Sequence, residues 1–232
     1  MSKTGQDKIW EWYQNHEPES FGGASARLDT VLSAAEVASG SATPRTLTVG
    51  VGDGYLERRL KAKGWPASAL DPSDEAVQRL HEEGIDAVQG RLEEVPWPKG
   101  TFDVVLISEV LEHLDAGEGA SAVAELHRVL RPGGVMVGTV PYGEDLKAHT
   151  VLCPCCGTQF HRWGHQRSFD RASLVASLSP QFAVSSVKVT AFVSFRGRSP
   201  LRLAKGALRY ALGRMGNPLS SPHLLFVARR NP

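Results

Sequence analysis

The chain lacks any apolar run long enough to cross a bilayer. Its opening stretch, MSKTGQDKIWEWYQNHEPES, is polar and aromatic. Without the apolar centre of a secretory signal, it makes the cytoplasm the expected location. Cysteine is scarce: Cys153, Cys155 and Cys156 are the only three, and they fall within four residues. An odd, tightly clustered set makes a poor disulfide framework and points to metal ligation or thiol chemistry. Excess charge is also missing. With 26 basic and 25 acidic residues the net charge is +1, which excludes a global pull toward nucleic acid. Repeats and low-complexity tracts are absent. A length of 232 residues favours one core with elaborations over two full domains.

What is present is alternation. Interrupted helical periodicity runs over 8–37, with Ile9, Trp10 and Tyr13 on one face and breaks at Pro18 and Gly22-Gly23. Then come expected strands at Thr46–Val49, Ala67–Leu70, Ile85–Gln89, Phe102–Ile107 and Val135–Val140. Between them lie expected helices at Tyr55–Ala62, Ser73–Glu82 and Gly119–Leu130, with a helix or helical loop at Ser108–Leu114. Strands and helices alternating over about 100 residues imply a parallel sheet with right-handed crossovers. Beyond Pro141 the rhythm changes to a polar stretch, 141–169. A helix near Asp170–Leu178, a strand near Phe182–Phe192, a basic segment and a last strand at His223–Ala228 follow.

The run Leu47-Thr-Val-Gly-Val-Gly-Asp-Gly-Tyr-Leu56 places Gly50, Gly52 and Gly54 at alternate positions between a strand and a helix. Such a turn lets the backbone approach a ligand closely, although a bland tight turn reads the same way. Asp71 ends the second strand, where a carboxylate can accept both hydroxyls of a ribose. The alternative is that Asp71 or Ser73 simply caps the next helix.

Taken in order, several motifs carry a resemblance. They are Val49-Gly-Val-Gly-Asp-Gly54, Leu70-Asp-Pro-Ser73, Gly90, Phe102-Asp-Val-Val-Leu106, Ser108-Glu-Val-Leu-Glu-His-Leu114 and Glu125-Leu-His-Arg-Val-Leu-Arg-Pro-Gly-Gly134. The segment 46–140 resembles a class I S-adenosylmethionine-dependent methyltransferase of the Glu-Val-Leu-Glu-His type. The resemblance implies a doubly wound α/β fold with a seven-stranded, mostly parallel sheet, whose last two strands form a hairpin interrupted by the basic segment. It implies that Gly50, Gly52 and Gly54 turn under the methionine part of S-adenosyl-L-methionine and that Asp71 holds the ribose. Arg91 and Leu92 would flank the adenine, and Ser108 and Glu109 would border the transferred methyl. Two departures stand out. Thr48 replaces an acidic residue two places before the first glycine, and Arg91 stands where an aspartate is usual. Asp53 and Glu93 are candidates to compensate. A relative without activity is the remaining alternative.

A sulfonium methyl is already activated, so the site must mainly align the acceptor, and an oxygen acceptor also profits from a general base. His113, after the fourth strand, and Tyr142 and His149, after the fifth, are the candidates; His113 reads equally as a structural residue. Glu109, Glu112 and His113 are expected on one helix face. A similar segment binds a divalent metal in some quinone-pathway O-methyltransferases, and many relatives have it without metal.

Two further features lie outside that frame. Cys153-Pro-Cys-Cys156-Gly157 with His161 and His165 gives C-x2-C-x4-H-x3-H, four donors suited to a structural zinc resembling a zinc knuckle. A reactive thiol cluster is the alternative. Phe160, Trp163, Arg162 and Arg167 beside it can stack nucleic-acid bases or a sugar, or build the knuckle's own core. Residues 196–214 contain Arg196, Arg198, Arg202, Lys205, Arg209 and Arg214 and no acid. They read as a basic amphipathic segment with Leu201, Ala204, Leu208 and Leu212 on its apolar face, available for peripheral membrane contact or for packing on the sheet.

The resulting organisation is an N-terminal helical cap over 1–40 and a methyltransferase domain over 41–232. The latter contains the zinc-type insertion 141–169 and the basic segment 194–216. The expected reaction is methyl transfer to a small-molecule or glycan acceptor, onto oxygen. A nucleic-acid acceptor or a non-catalytic cofactor-binding role are the lesser alternatives.

Overall fold

The structure, a computed structural model, describes residues 8–9, 12–13, 16, 24–179, 181–193 and 200–231, with the backbone alone for 200–202. Trp10, Arg196, Arg198 and the side chains of Leu201 and Arg202 therefore lie outside the described residues, as do residues 1–7, 10–11, 14–15 and 17–23 of the expected N-terminal cap.

The strands are β1 (Thr46–Val49), β2 (Ala67–Asp71), β3 (Asp86–Gln89), β4 (Phe102–Ser108), β5 (Leu130–Pro141), β6 (Thr150–Leu152), β7 (Gln159–His161), β8 (Phe182–Thr190) and β9 (His223–Arg230). The helices are α1 (Ser25–Ser39), α2 (Tyr55–Ala62), α3 (Asp74–Glu82), α4 (Ala116–Val129), α5 (Arg171–Leu178) and α6 (Pro200–Arg214). Seven strands form one sheet in the order β3-β2-β1-β4-β5-β9-β8, and β6 and β7 make a separate hairpin. The first five are parallel, with Thr46 opposite both Ala67 and Val104. β9 pairs antiparallel with both β5 and β8. The last two strands are thus a hairpin with α6 in its connection, as the sequence implied.

Alternation along the strands sets the two helical layers. Val104 and Leu106 of β4 face Val31, Leu32 and Ala35 of α1 together with Leu56 and Leu60 of α2. Val105 and Ile107 face the opposite way, into a cluster with Ala122, Val123 and Leu126 of α4 and Leu174 and Leu178 of α5. β4 is buried on both faces, which explains its unbroken apolar sequence.

Three expectations need correcting. Helix α4 starts at Ala116, not Gly119, because Asp115 and Glu118 form a capping box: the Asp115 carboxylate accepts from Glu118 N at 2.8 Å, and the Glu118 carboxylate accepts from Asp115 N at 2.9 Å. Of the two readings of the 108–114 segment, the helical loop holds and the helix does not. Only Leu111–His113 makes a single 3-10 turn, and Glu109 sits in the left-handed region with a φ of 58°. Helix α6 does not pack through its expected apolar face. Gly206 and Gly213 are its buried positions, while Ala204 and Leu208 are exposed. A Cβ on Gly213 would fall 2.4 Å from the Ala191 Cβ, so two small residues set the approach of helix to strand.

No helix among the described residues is long and apolar enough to cross a membrane.

Candidate active site

The parallel strands deliver the glycine turn, Asp71 and Glu109 to the same edge of the sheet, at their carboxyl ends. This is where ligands bind in open α/β sheets. There a cavity of about 1540 Å³ opens, lined among others by Gly50, Gly52, Asp71, Ser108 and Glu109.

Gly50, Gly52 and Gly54 all adopt left-handed backbone, with φ of 78°, 56° and 79°. At Gly50 an added Cβ would lie 2.9 Å from the Val110 Cγ2, so the turn tolerates no side chain there. Asp71 is buried at the end of β2. Its Oδ2 accepts from Val51 N at 2.7 Å and its Oδ1 from Ser73 N at 2.8 Å. Ser73 is the residue that caps α3, accepting from Ala76 N at 3.3 Å. The two carboxylate oxygens therefore tie the glycine turn to the β2–α3 turn while lining the cavity. A carboxylate offers about four acceptor directions, so these bonds do not exhaust it. Arg91 and Leu92 line the same cavity; Leu92 is buried and also belongs to the core.

Thr48, at the position where the resemblance expects an acid, is buried, and its hydroxyl lies beside the carboxyl of Glu57. An acid stands beside it from another element. Glu57 of α2 is 1% exposed. Burial pushes its carboxyl up to about 7, against the smaller lowering effect of Thr48.

Ser108 and Glu109 sit in a polar network at the end of β4. Arg27 of α1 donates through Nε to Ser108 Oγ at 3.1 Å. Ser108 and Thr139 share a 2.7 Å bond between hydroxyls, and Thr139 Oγ1 reaches Glu109 Oε1 at 2.8 Å. The other Glu109 oxygen lies 3.2 Å from His223 Nε2 and 3.8 Å from an Arg27 guanidinium nitrogen. Burial alone would raise the Glu109 carboxyl, but the charges of Arg27 and His223 outweigh it and hold the group at about 2. Glu109 is an anion clamped between two elements distant in sequence.

Past the strand ends, residues of the 141–169 segment form another wall of the cavity. Backbone N–H groups of Gln166 and Arg167 donate to the Glu112 carbonyl at 2.8 and 3.0 Å, and Gln166 Nε2 donates to the His113 carbonyl at 2.9 Å. These bonds pin the insertion onto the Leu111–His113 turn. His113 is buried, and its ring meets the His165 ring edge-on at 4.6 Å between centroids. Burial first, then the neighbouring His165, pushes His113 down to about 3, so its ring is neutral. Tyr142, His149, Trp163 and Glu144 line the same cavity.

The structure corrects two groupings. Glu109, Glu112 and His113 do not share a face: the left-handed turn at Glu109 sends it to Arg27 and His223, while Glu112 and His113 turn toward the insertion. Nor do Cys153, Cys156, His161 and His165 come together as one ligand set. Cys153 to Thr158 is the turn of the β6–β7 hairpin, closed by Cys153 N donating to Thr158 O at 2.9 Å. His161 pairs with Thr150 at the other end of that hairpin. At about 3.3 Å per strand residue the cysteines are too far away to share an ion with it. His161 and His165 face Glu144 instead, at 3.5 and 2.5 Å. Among the described residues, the groups able to hold a metal are Glu112-His113-His165 and Glu144-His161-His165, and neither contains a cysteine.

Arg27, Glu57, Glu144 and His223 carry no motif and were not anticipated. An arginine on a helix before the first strand, facing a carboxylate at the end of the fourth, has no local spacing to reveal it.

Residues 47–138 match the family described as Methyltransferase domain. A malonyl-(acyl-carrier protein) O-methyltransferase of Serratia marcescens is 32% identical over 118 residues, covering 49% of this chain and 46% of the relative. A ubiquinone biosynthesis O-methyltransferase of Aromatoleum aromaticum is 37% identical over 103 residues, covering 41% and 43%. The chain thus spans less than half the length of these curated relatives. Among solved structures, the Burkholderia thailandensis 1,6-didemethyltoxoflavin-N1-methyltransferase with bound S-adenosylhomocysteine superposes with a TM-score of 0.68 at 16% identity, over 98% of this chain and 87% of that one. The N-methyltransferase NodS from Bradyrhizobium japonicum, in complex with S-adenosylhomocysteine, gives 0.67 at 16% identity, over 99% and 100%. The glycine turn, Asp71 and the β4 end all lie within the segment that matches the methyltransferase-domain model, and the chain has the fold of these methyltransferases.

Proposed function

We propose that the chain transfers the methyl group of S-adenosylmethionine to an oxygen of a small-molecule or glycan acceptor. The observation that carries this reading is one continuous cavity, floored by the glycine turn and Asp71 and walled by Tyr142, His149 and the insertion. Gly50 and Gly52, in left-handed backbone and without side chains, line that cavity, which fits a ligand held close to the backbone. In this reading Gly50, Gly52 and Gly54 receive the methionine part, Asp71 takes the ribose hydroxyls, and Arg91 and Leu92 flank the adenine. Ser108 and Glu109 border the sulfonium; the Glu109 anion complements its positive charge and that of the methionine amine.

The bound cofactor supplies the electrophilic methyl. The chain's own residues orient the acceptor in line with it, exclude water and take up the acceptor's proton. Of the three candidates, His149 suits the last task best: it lines the cavity, half-buried, whereas His113 is buried and weakened as a base. Tyr142, beside the end of β5, positions the acceptor. An oxygen acceptor agrees with the activities named for the Serratia and Aromatoleum relatives.

Calorimetry with S-adenosylhomocysteine tests the cofactor half. Micromolar binding that Asp71→Ala abolishes is expected, and no binding to the wild-type chain overturns the reading. Transfer of a radiolabelled methyl group to candidate hydroxyl compounds tests the acceptor half. Label stable to base and retained on oxygen is the expected product, and label on nitrogen alone overturns the oxygen assignment.

A further inference from the structure

Glu112 is 1% exposed, and neither of its carboxylate oxygens has a hydrogen-bond partner among the described residues. A buried carboxylate left that way is costly, by several kcal/mol if ionised, so such a group stays protonated unless it is paired or coordinates a metal. What faces Glu112 is a pair of imidazoles. Ligand atoms of Glu112, His113 and His165 all lie within 4.8 Å of one another.

The surroundings of both rings favour a ligand role. His165 Nδ1 contacts Glu144 Oε2 at 2.5 Å, which leaves Nε2 as its ligand atom. A histidine held by a carboxylate on one nitrogen, presenting the other, is the usual outer-shell arrangement of metal-bound imidazole. The Gly164 carbonyl takes a hydrogen bond from the His113 ring, again engaging one nitrogen. His161 is excluded by the same reasoning. Its Nδ1 accepts from His165 N at 3.0 Å, so its proton sits on Nε2, which points at Glu144 Oε1 from 3.5 Å. His161 Nε2 has no hydrogen-bond partner among the described residues, but it carries the ring proton and so offers no lone pair to a metal. Glu109 is excluded by its ties to Arg27 and His223.

We propose that Glu112, His113 and His165 form a divalent transition-metal site, with zinc as the favoured ion and Glu144 as the carboxylate that orients His165. Two histidines and one glutamate are a ligand set that zinc accepts while keeping a fourth position open. Because His113, Glu144 and His165 line the cavity, that position opens toward the acceptor side. An ion there lowers the pKa of an oxygen bound to it. That role rests on the methyl-transfer reading; the site does not. The ligands come from the β4–α4 turn and the insertion, so the ion would also fasten the two together.

The test uses the full chain, stripped with a chelator and titrated with zinc and with cobalt. One equivalent of zinc is expected. The cobalt form should show visible d–d absorption without the near-ultraviolet thiolate-to-cobalt band that cysteine ligation produces. Glu112→Gln and His165→Ala should each weaken zinc binding at least 10-fold, and Glu144→Gln roughly 10-fold. The double variant Cys153→Ser/Cys156→Ser should bind as the wild type does. Melting curves identify any variant that fails to fold, and the wild-type stoichiometry and cobalt spectrum then decide alone. No metal uptake, a thiolate band, or zinc lost only in the cysteine double variant overturns the proposal. S-adenosylhomocysteine calorimetry on the stripped chain separates failure of the metal site from failure of the cofactor reading.

Discussion

Arg27 donates to Ser108 across 3.1 Å, joining helix α1 to the end of β4 over 81 positions of sequence. The same guanidinium stands 3.8 Å from Glu109 and contributes to holding that carboxyl at about 2. Replacement by methionine keeps much of the length and removes both effects. Hydrogen bonds to charged groups contribute about 1.5–3 kcal/mol, so a loss of that order in stability at pH 7 is expected. Cofactor affinity should fall with it, by roughly 10-fold. The pH dependence follows from the sign. The folded value of Glu109 lies below its ordinary 4.5, so its contribution is complete above about pH 4.5 and fades as the pH falls toward 2. The stability gap between wild type and Arg27→Met, measured in urea at pH 7, 4 and 3, should narrow with acid. A gap constant over that range contradicts the assignment.

Asp71 holds two backbone N–H groups, one on each oxygen. Asp71→Asn keeps one acceptor and replaces the other by a donor facing a donor. A destabilisation of about 1–3 kcal/mol is expected from the unsatisfied N–H group. Calorimetry should show an additional loss of S-adenosylhomocysteine affinity, greater than 10-fold, from loss of the ribose contact proposed for it. A variant destabilised yet binding normally would make Asp71 purely structural.

Glu57 offers a contrasting pH signature. Its folded value, about 7, lies above the ordinary 4.5. The folded chain therefore holds this proton more tightly than the unfolded chain, and stability declines as pH rises from about 4.5 to 7. Glu57→Gln removes that penalty. The variant's relative stability should improve across this window and level off above pH 7, by on the order of 3 kcal/mol at most. Guanidinium melts at pH 5 and 8 suffice; a pH-independent difference would show that Glu57 is ionised and compensated in the fold.

Gly213 fixes how closely α6 approaches the strand end at Ala191. Gly213→Ala forces a methyl into space 2.4 Å from the Ala191 Cβ. Overpacking typically costs about 1–3 kcal/mol. Since α6 has few other buried positions, the expected result is local detachment. Limited proteolysis should cut within 203–214 faster than in the wild type, while the melting temperature moves little. Unchanged cleavage would mean that the helix is held elsewhere.

Much of this architecture can be read locally. The glycine turn, Asp71 and the apolar run of β4 announce themselves because their spacing follows from the period of a strand and the geometry of one turn. The start of α4 is also readable in the capping box Asp115-Ala-Gly-Glu118, which begins the helix ahead of its apolar periodicity. The 108–114 segment misleads for another reason. Its helical spacing is real, but Glu109 takes a left-handed conformation that lets its carboxylate meet Arg27 and His223. The cysteine–histidine pattern fails because spacing along a chain does not show which residues a hairpin places at its tip and which at its base. Arg27, Glu57, Glu144 and His223 become visible only when distant elements are brought together.

Strand β9 lies between β5 and β8, and it brings His223 to Glu109. This order has a consequence for synthesis. While residues up to about 190 emerge, the β5 edge stands unpaired, and β8 has no neighbour in the sheet. Only after residue 230 has cleared the ribosome can β9 fill the gap, complete the sheet and deliver the histidine. A nascent chain should therefore acquire the glycine turn early and its cofactor affinity late. The open edge of β5 is a point at which a chaperone, or another copy of the chain, can intervene.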